Sequence, residues 1–128
     1  MKLLLDTHVF LWLNDDPERL SKTVQDLCSS GAHEFYLSMA SPWEMQIKSQ
    51  LDKLSLAMPI EELVNKNTLE NNIKLLPIEL SHISYLEQLP QHHRDPFDRL
   101  IIAQAVVEGM TIVSVDHAFA AYSVPVVW

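Results

Sequence analysis

The sequence predicts an α/β protein with a central, mostly parallel sheet covered on both faces. Three observations carry this. Short runs such as Leu3-Leu4-Leu5 and Ile112-Val113 are continuously apolar rather than alternating, as strands buried on both faces are. Stretches with helical spacing separate these runs along the whole chain, the pattern of strand–helix–strand units. Two of the runs stop at an aspartate, Asp6 and Asp116, and in a parallel sheet all such strand ends share one rim.

The bulk properties narrow the field. The 128 residues suit one compact domain spanning 1–128, and a hydrophobic share of 48% excludes a disordered chain. No apolar run approaches ~20 residues, so nothing spans a membrane. The opening Met1-Lys2-Leu3-Leu4-Leu5 meets Asp6 too early for a signal peptide. Cys28 is the single cysteine, so no internal disulfide forms and a reducing cytoplasm is the expected location. Nine basic against 17 acidic residues give a formal charge of −8, which argues against nucleic-acid binding through a broad basic surface. It allows a cation site or a basic partner. Two glycines leave no glycine-rich phosphate loop and no dinucleotide fingerprint.

Taken in order, Lys2–Leu5 is the first strand. Val9 to Leu13 start a short helix that ends before Asn14-Asp15-Asp16-Pro17. Ser21 caps a second helix through Val24, Leu27 and Cys28, closed by Ser29-Ser30-Gly31. Phe35–Ser38 is the second strand. Ser41-Pro42-Trp43-Glu44 reads as a capping box with proline at the first helical position. Residues 51–56 read as a helix end plus a loop, and Pro59 opens a helix through Ile60, Leu63 and Val64. Ile73–Ile78 is a strand ended by proline, and Ser81 caps a helix through Ile83, Tyr85, Leu86 and Leu89. Asp95-Pro96 starts a helix whose run Leu100 to Val107 is apolar nearly all round and is stopped by Gly109. Thr111–Val115 is a β-branched strand, Ala118–Tyr122 a helical turn, and Val124–Val127 a last strand whose proline suits a sheet edge.

Acids collect where one rim can gather them: Asp6 and Asp116 after strands, Glu44 in the helix after the second strand, Asp98 in the first turn of the central helix, and Asp95 close by. Two bare carboxylates ~4 Å apart repel by ~4 kcal/mol in protein-like surroundings, so either some take up protons or a cation sits between them. An all-oxygen site favours Mg²⁺ or Mn²⁺ over zinc, and such ions serve phosphodiester cleavage. Each acid also has a structural reading: Glu44 as a member of the capping box, Asp95 as a helix cap, Asp98 as a partner of the helix dipole. Asp6 and Asp116 are harder to explain that way, because a carboxylate ending a buried strand is costly unless exposed or used.

Thr7 and Ser114 adjoin the strand-end acids and can position a water there or satisfy loop backbone. Arg94 and Arg99 flank Asp95 and Asp98 and either neutralise them or contact a substrate phosphate. His92-His93 reads as a solvated loop; zinc would need more ligands of that kind, and Cys28 is remote in sequence. Trp12, Trp43 and Trp128 read as packing residues.

Four stretches in order carry a family resemblance: Leu4-Leu5-Asp6-Thr7-His8; Ser38 through Ser41-Pro42-Trp43-Glu44; His93-Arg94-Asp95-Pro96-Phe97-Asp98-Arg99-Leu100-Ile101-Ile102-Ala103-Gln104-Ala105; and Ile112-Val113-Ser114-Val115-Asp116. The chain resembles a PIN domain, and closely the VapC-type toxins of bacterial toxin–antitoxin pairs, over essentially its whole length. The resemblance implies a three-layer α/β/α PIN-like fold and a Mg²⁺- or Mn²⁺-dependent ribonuclease. It carries the family's acids onto Asp6, Glu44, Asp98 and Asp116, with Asp95 an extra acid of the subgroup. It further implies a homodimer and a cognate VapB-like antitoxin whose tail covers the acidic cleft. With a net charge of −8, RNA has to be held by local contacts, for which Lys48 and Lys53 are candidates. Two other readings compete. A phosphatase forming an aspartyl-phosphate needs a second Asp two residues after Asp6, where this chain has His8. A non-catalytic binding module would use its acids only as caps or for a partner.

Overall fold

The computed structural model describes residues 1–128, and its sheet has five strands, all parallel. These are β1 (Lys2–Leu5), β2 (Glu34–Ser38), β3 (Ile73–Leu76), β4 (Thr111–Val113) and β5 (Val126–Val127), in the spatial order β3-β2-β1-β4-β5. The chain therefore runs outward from β1 to β3 on one side and resumes with β4 on the other. The reversal of direction falls between β1 and β4, where open parallel sheets form a crevice beyond the strand C-termini.

Six α-helices cover the sheet: α1 (Thr7–Asp15), α2 (Lys22–Ser30), α3 (Ala40–Gln50), α4 (Ile60–Glu70), α5 (Leu80–Tyr85) and α6 (Pro96–Glu108). The two-residue alternation of β1 divides the core. Leu3 and Leu5 pack with Val9, Phe10, Val24, Met45 and Leu63 on one face, while Leu4 packs with Ile101, Ile102, Ala105 and Phe119 on the other. This is the expected three-layer α/β/α arrangement.

Helix α6 orients the site. Asp95 caps it through Phe97 N–H (2.8 Å) and Asp98 N–H (3.3 Å), Pro96 stands at its first position, and Gly109 ends it at φ 68°, which a glycine adopts without strain. Residues Leu100 to Ala105 are all buried. The one polar member of that run, Gln104, bonds Ser38 Oγ at the end of β2 and donates to the Pro77 carbonyl just after β3 (3.2 Å). Those two bonds anchor α6 to the rim of the sheet.

Element boundaries differ from the sequence reading at three helices and three strands. Helix α1 begins at Thr7, directly after Asp6. Helix α3 begins at Ala40, whose N–H is taken by Ser38 Oγ (3.0 Å), so the expected Ser41–Glu44 capping box does not form and both side chains are buried inside. Helix α5 begins after Glu79, not Ser81, and His82 Nδ1 accepts the Glu79 N–H (3.0 Å). The strands are shorter: β3 stops before Pro77, which has no N–H to give, β4 stops at Val113, and β5 follows Pro125.

Candidate active site

Asp6, at the end of β1, is almost fully buried. It holds the position that caps α1 yet makes no side-chain capping bond. Its Oδ2 instead accepts the Ser114 hydroxyl at 2.7 Å, and Ser114 Oγ in turn takes the Asp116 N–H at 3.0 Å. Burial raises the Asp6 pKa, and the Ser114 bond works against that rise. One hydroxyl thus links the strand-end acids of β1 and β4 across the crevice.

Glu44 is 3% exposed. Thr7 Oγ1 lies 2.9 Å from both Ser41 Oγ and Glu44 Oε1; a carboxylate only accepts, so the Thr7 proton goes to Glu44. The second oxygen, Oε2, pairs with Lys48 Nζ at 2.7 Å. That bond raises the Lys48 pKa, and the charges of Asp95 and Asp98 add to it. Lys48 is therefore the counter-ion of Glu44, while Lys53 lies exposed beyond the end of α3. The Glu-to-Lys spacing of four residues along one helix was the signal for this pair.

The remaining acids sit on the other side. Asp116 is about half exposed at its side chain and caps a short 3₁₀ turn through Ala118 N–H (2.9 Å). Asp98 makes no capping bond, and its pKa is pushed up to about 8. Burial is the main cause, followed by the negative charges of Asp95, Asp6, Glu44 and Asp116. The other four predicted acids thus all lie within electrostatic reach of the Asp98 carboxyl group.

His93 belongs here too, contrary to its reading as a solvated loop residue. Its backbone N–H donates to Tyr122 Oη (2.8 Å), and its Nδ1 accepts the Asp95 N–H (3.2 Å). Nε2 lies 3.0 Å from Asp98 Oδ2 and 4.0 Å from Asp116 Oδ2. Because Nδ1 is an acceptor, the proton of the neutral ring is on Nε2. Only His92 stays in solvent, edge-on to the Tyr122 ring at 5.4 Å. Of the two readings of the arginines, the neutralising pairs do not form: Arg99 donates to the Pro90 and Leu86 carbonyls (2.8 and 3.3 Å), Arg94 is exposed, and neither pairs with Asp95 or Asp98. Trp43 is 59% exposed and meets Phe97 edge to face at 5.1 Å, beside the acids rather than in the core.

Residues His93, Asp98 and Asp116 bring one ligand atom each to within 4.8 Å of one another. Burial first, and then the charges of four neighbouring acids that Lys48 alone does not offset, push the Asp98 pKa up to about 8. The chemistry of the donor set fits a hard divalent cation, since Asp6, Asp98 and Asp116 offer oxygens and the His93 nitrogen facing them carries a proton.

Fold and site together define an α/β/α protein with a carboxylate cleft suited to a divalent ion. The PIN domain family matches residues 3–125, and the chain belongs to that family. It is 28% identical over 124 residues to "Ribonuclease VapC22" of Mycobacterium tuberculosis, covering 96% of this chain and 93% of that one. Solved structures with the same fold include VapBC2 from Rickettsia felis bound to a DNA fragment from its promoter (TM-score 0.74, 15% identity, 99% and 98% of the two chains). DNA-bound VapBC from Salmonella typhimurium is similar as well (TM-score 0.67, 15% identity, 99% and 97%).

Proposed function

We propose that the chain is a metal-dependent endoribonuclease, the toxin of a toxin–antitoxin pair, acting in the cytoplasm as one domain over residues 1–128. The observation that carries the reading is the gathering of Asp6, Glu44, Asp95, Asp98 and Asp116 at one rim, where burial and the four neighbouring charges push the Asp98 pKa up to about 8. A divalent ion at that rim would offset this charge. Membership of the PIN family and the likeness to a named ribonuclease support RNA as the substrate. The VapBC complexes that share the fold support a VapB-like antitoxin as partner; the homodimer is what the family resemblance implies.

In this reading Asp6, Asp98 and Asp116 would hold Mg²⁺ or Mn²⁺, which when bound would offset charge on the scissile phosphate and activate a water as nucleophile. Glu44, fixed at one oxygen by the Thr7 hydroxyl and at the other by Lys48, stands as an oriented carboxylate near Asp6 and Asp98. Ser114 holds Asp6 in orientation, and Asp95 shapes the loop by capping α6. With a net charge of −8, RNA is held locally and an antitoxin presents basic residues to the cleft.

The test is cleavage of RNA by the purified protein with Mn²⁺ and with chelator. Cleavage with Mn²⁺ only, leaving 5′-phosphate and 3′-hydroxyl ends, is the expected outcome. Cyclic 2′,3′-phosphate ends would mean attack by the RNA's own 2′-hydroxyl and would overturn the mechanism.

A further inference from the structure

We infer that His93 is a positioning residue of the metal site: its Nε2–H holds one oxygen of Asp98 so that the other faces the cation. The inference rests on the reading of Asp6, Asp98 and Asp116 as metal ligands. It starts from a residue fixed at two points: its backbone N–H donates to Tyr122 Oη (2.8 Å) and its ring Nδ1 accepts the Asp95 N–H (3.2 Å). Tyr122 is itself buried in the core beside Phe119, so the His93 backbone is tied to the segment that follows β4 although it belongs to the loop before α6. Those two segments carry Asp116 and Asp98.

The accepting role of Nδ1 puts the proton on Nε2, and this nitrogen has no aligned hydrogen-bond partner; it is the one buried side-chain polar atom of the molecule in that condition. An unmade buried bond has a cost, and here the acceptor is only a rotation away, since Asp98 Oδ2 stands at 3.0 Å. Turning the Asp98 carboxylate so that Oδ2 meets the N–H fixes where Oδ1 points. Asp116 Oδ2, at 4.0 Å, is too far to take the bond in its place. Hydrogen bonds of this kind, from a neighbouring side chain to a ligating carboxylate, orient the ligand and govern metal affinity by about 10–100-fold. The protonated Nε2 also removes His93 from the ligand set.

The ring's two nitrogens can be tested separately. His93→Asn keeps an acceptor near the Nδ1 position for the Asp95 N–H and removes the donor. His93→Gln reaches the Nε2 position with an amide N–H. Mn²⁺ dissociation constants are measured by titration for the wild type, both variants and Asp6→Asn, with thermal unfolding of each in chelator. Expected is a 10–100-fold weakening in His93→Asn, recovery to within about threefold in His93→Gln, and little change in chelator melting temperature between them. Nitrogen-15 correlation spectra of the metal-free wild type should show the Nε2–H tautomer. Wild-type Mn²⁺ affinity in His93→Asn, equal weakening in both variants, or a proton on Nδ1 overturns the role of His93. Absence of Mn²⁺ binding by the wild type, or equal binding by Asp6→Asn, overturns instead the metal-site reading on which it rests.

Discussion

His82 and His93 are wired alike and sit in different surroundings. Each accepts a backbone N–H at Nδ1, from Glu79 at 3.0 Å and from Asp95 at 3.2 Å. Each turns Nε2 toward a carboxylate, Glu108 at 2.7 Å and Asp98 at 3.0 Å. The surroundings differ. His82 is fully buried between α5 and α6 and meets a carboxylate whose other side reaches water, so the pair is satisfied and joins two helices. The carboxylate facing His93 lies among four other acids at the sheet's switch-point rim and holds its proton to about pH 8. In the proposed reading the same imidazole device is a structural tie where charge is balanced and a positioning one where charge is in excess. That contrast can be broken or sharpened by experiment.

The largest effect is expected at Asp6. Asp6→Asn keeps the shape and the Ser114 contact but removes the charge from the buried end of β1. Cleavage of RNA should fall by at least about a thousandfold, roughly 4 kcal/mol of barrier, with the fold retained by circular dichroism. Retained cleavage would move the reaction away from this rim. The counterpart is His82→Ala, which should lower stability by about 2–3 kcal/mol through a cavity and an unpaired Glu79 N–H. That loss should be the same in Mn²⁺ and in chelator. A metal-dependent loss would place a cation between Glu79, His82 and Glu108 and erase the contrast.

Asp98→Asn should change sign with conditions. The folded value of about 8 lies above the ordinary value of 3.8. Between these two pH values the folded chain keeps a proton that the unfolded chain has released. Metal-free stability therefore falls as pH rises from about 4 to about 8, by at most about 1.4 kcal/mol per unit, and the asparagine variant should lack that fall. In chelator at pH 8 the variant should be the more stable protein. In Mn²⁺ at a hundred times the dissociation constant the wild type should gain about 2.7 kcal/mol and the variant less. Urea unfolding of both proteins across pH, with and without Mn²⁺, makes the measurement. An equal metal-induced gain in the two would take Asp98 out of the metal site.

The frame of this site was legible because it follows from short-range patterns. Continuous apolar runs ended by Asp6 and Asp116 imply buried parallel strands with acids at a common rim, and Asp95-Pro96 with Gly109 bounds the helix that brings Asp98 there. What escaped depends on long-range contacts. Nothing beside His93 in sequence announces Tyr122, which fixes it from 29 residues away. Ser41 and Glu44 match a capping box in spacing, but Ser38 had already taken the first N–H of α3, which frees both side chains to meet Thr7. The Lys48–Glu44 pair was readable from the four-residue spacing along one helix.

Asp95 gives the smallest effect and tests how the charge excess is built. One of its oxygens is committed to capping α6, and its charge is the second cause, after burial, of the raised Asp98 pKa. Asparagine caps a helix about as well as aspartate, so Asp95→Asn should cost only a few tenths of a kcal/mol, whereas Asp95→Ala should cost about 1 kcal/mol. Removing the negative charge must lower the Asp98 pKa. The metal-free fall in stability should then end below pH 8, with its lower limit unchanged because that belongs to the unfolded chain. A charge near the ion but not bound to it contributes about 1 kcal/mol at ~4 Å in water-like surroundings, so Mn²⁺ affinity should drop less than about tenfold. A drop as large as that of Asp98→Asn would make Asp95 a ligand rather than a cap. The charge excess at this rim would then be shared by two acids of α6 and its cap, and the distinction between His82 and His93 would rest on a cation held from both sides of the ring.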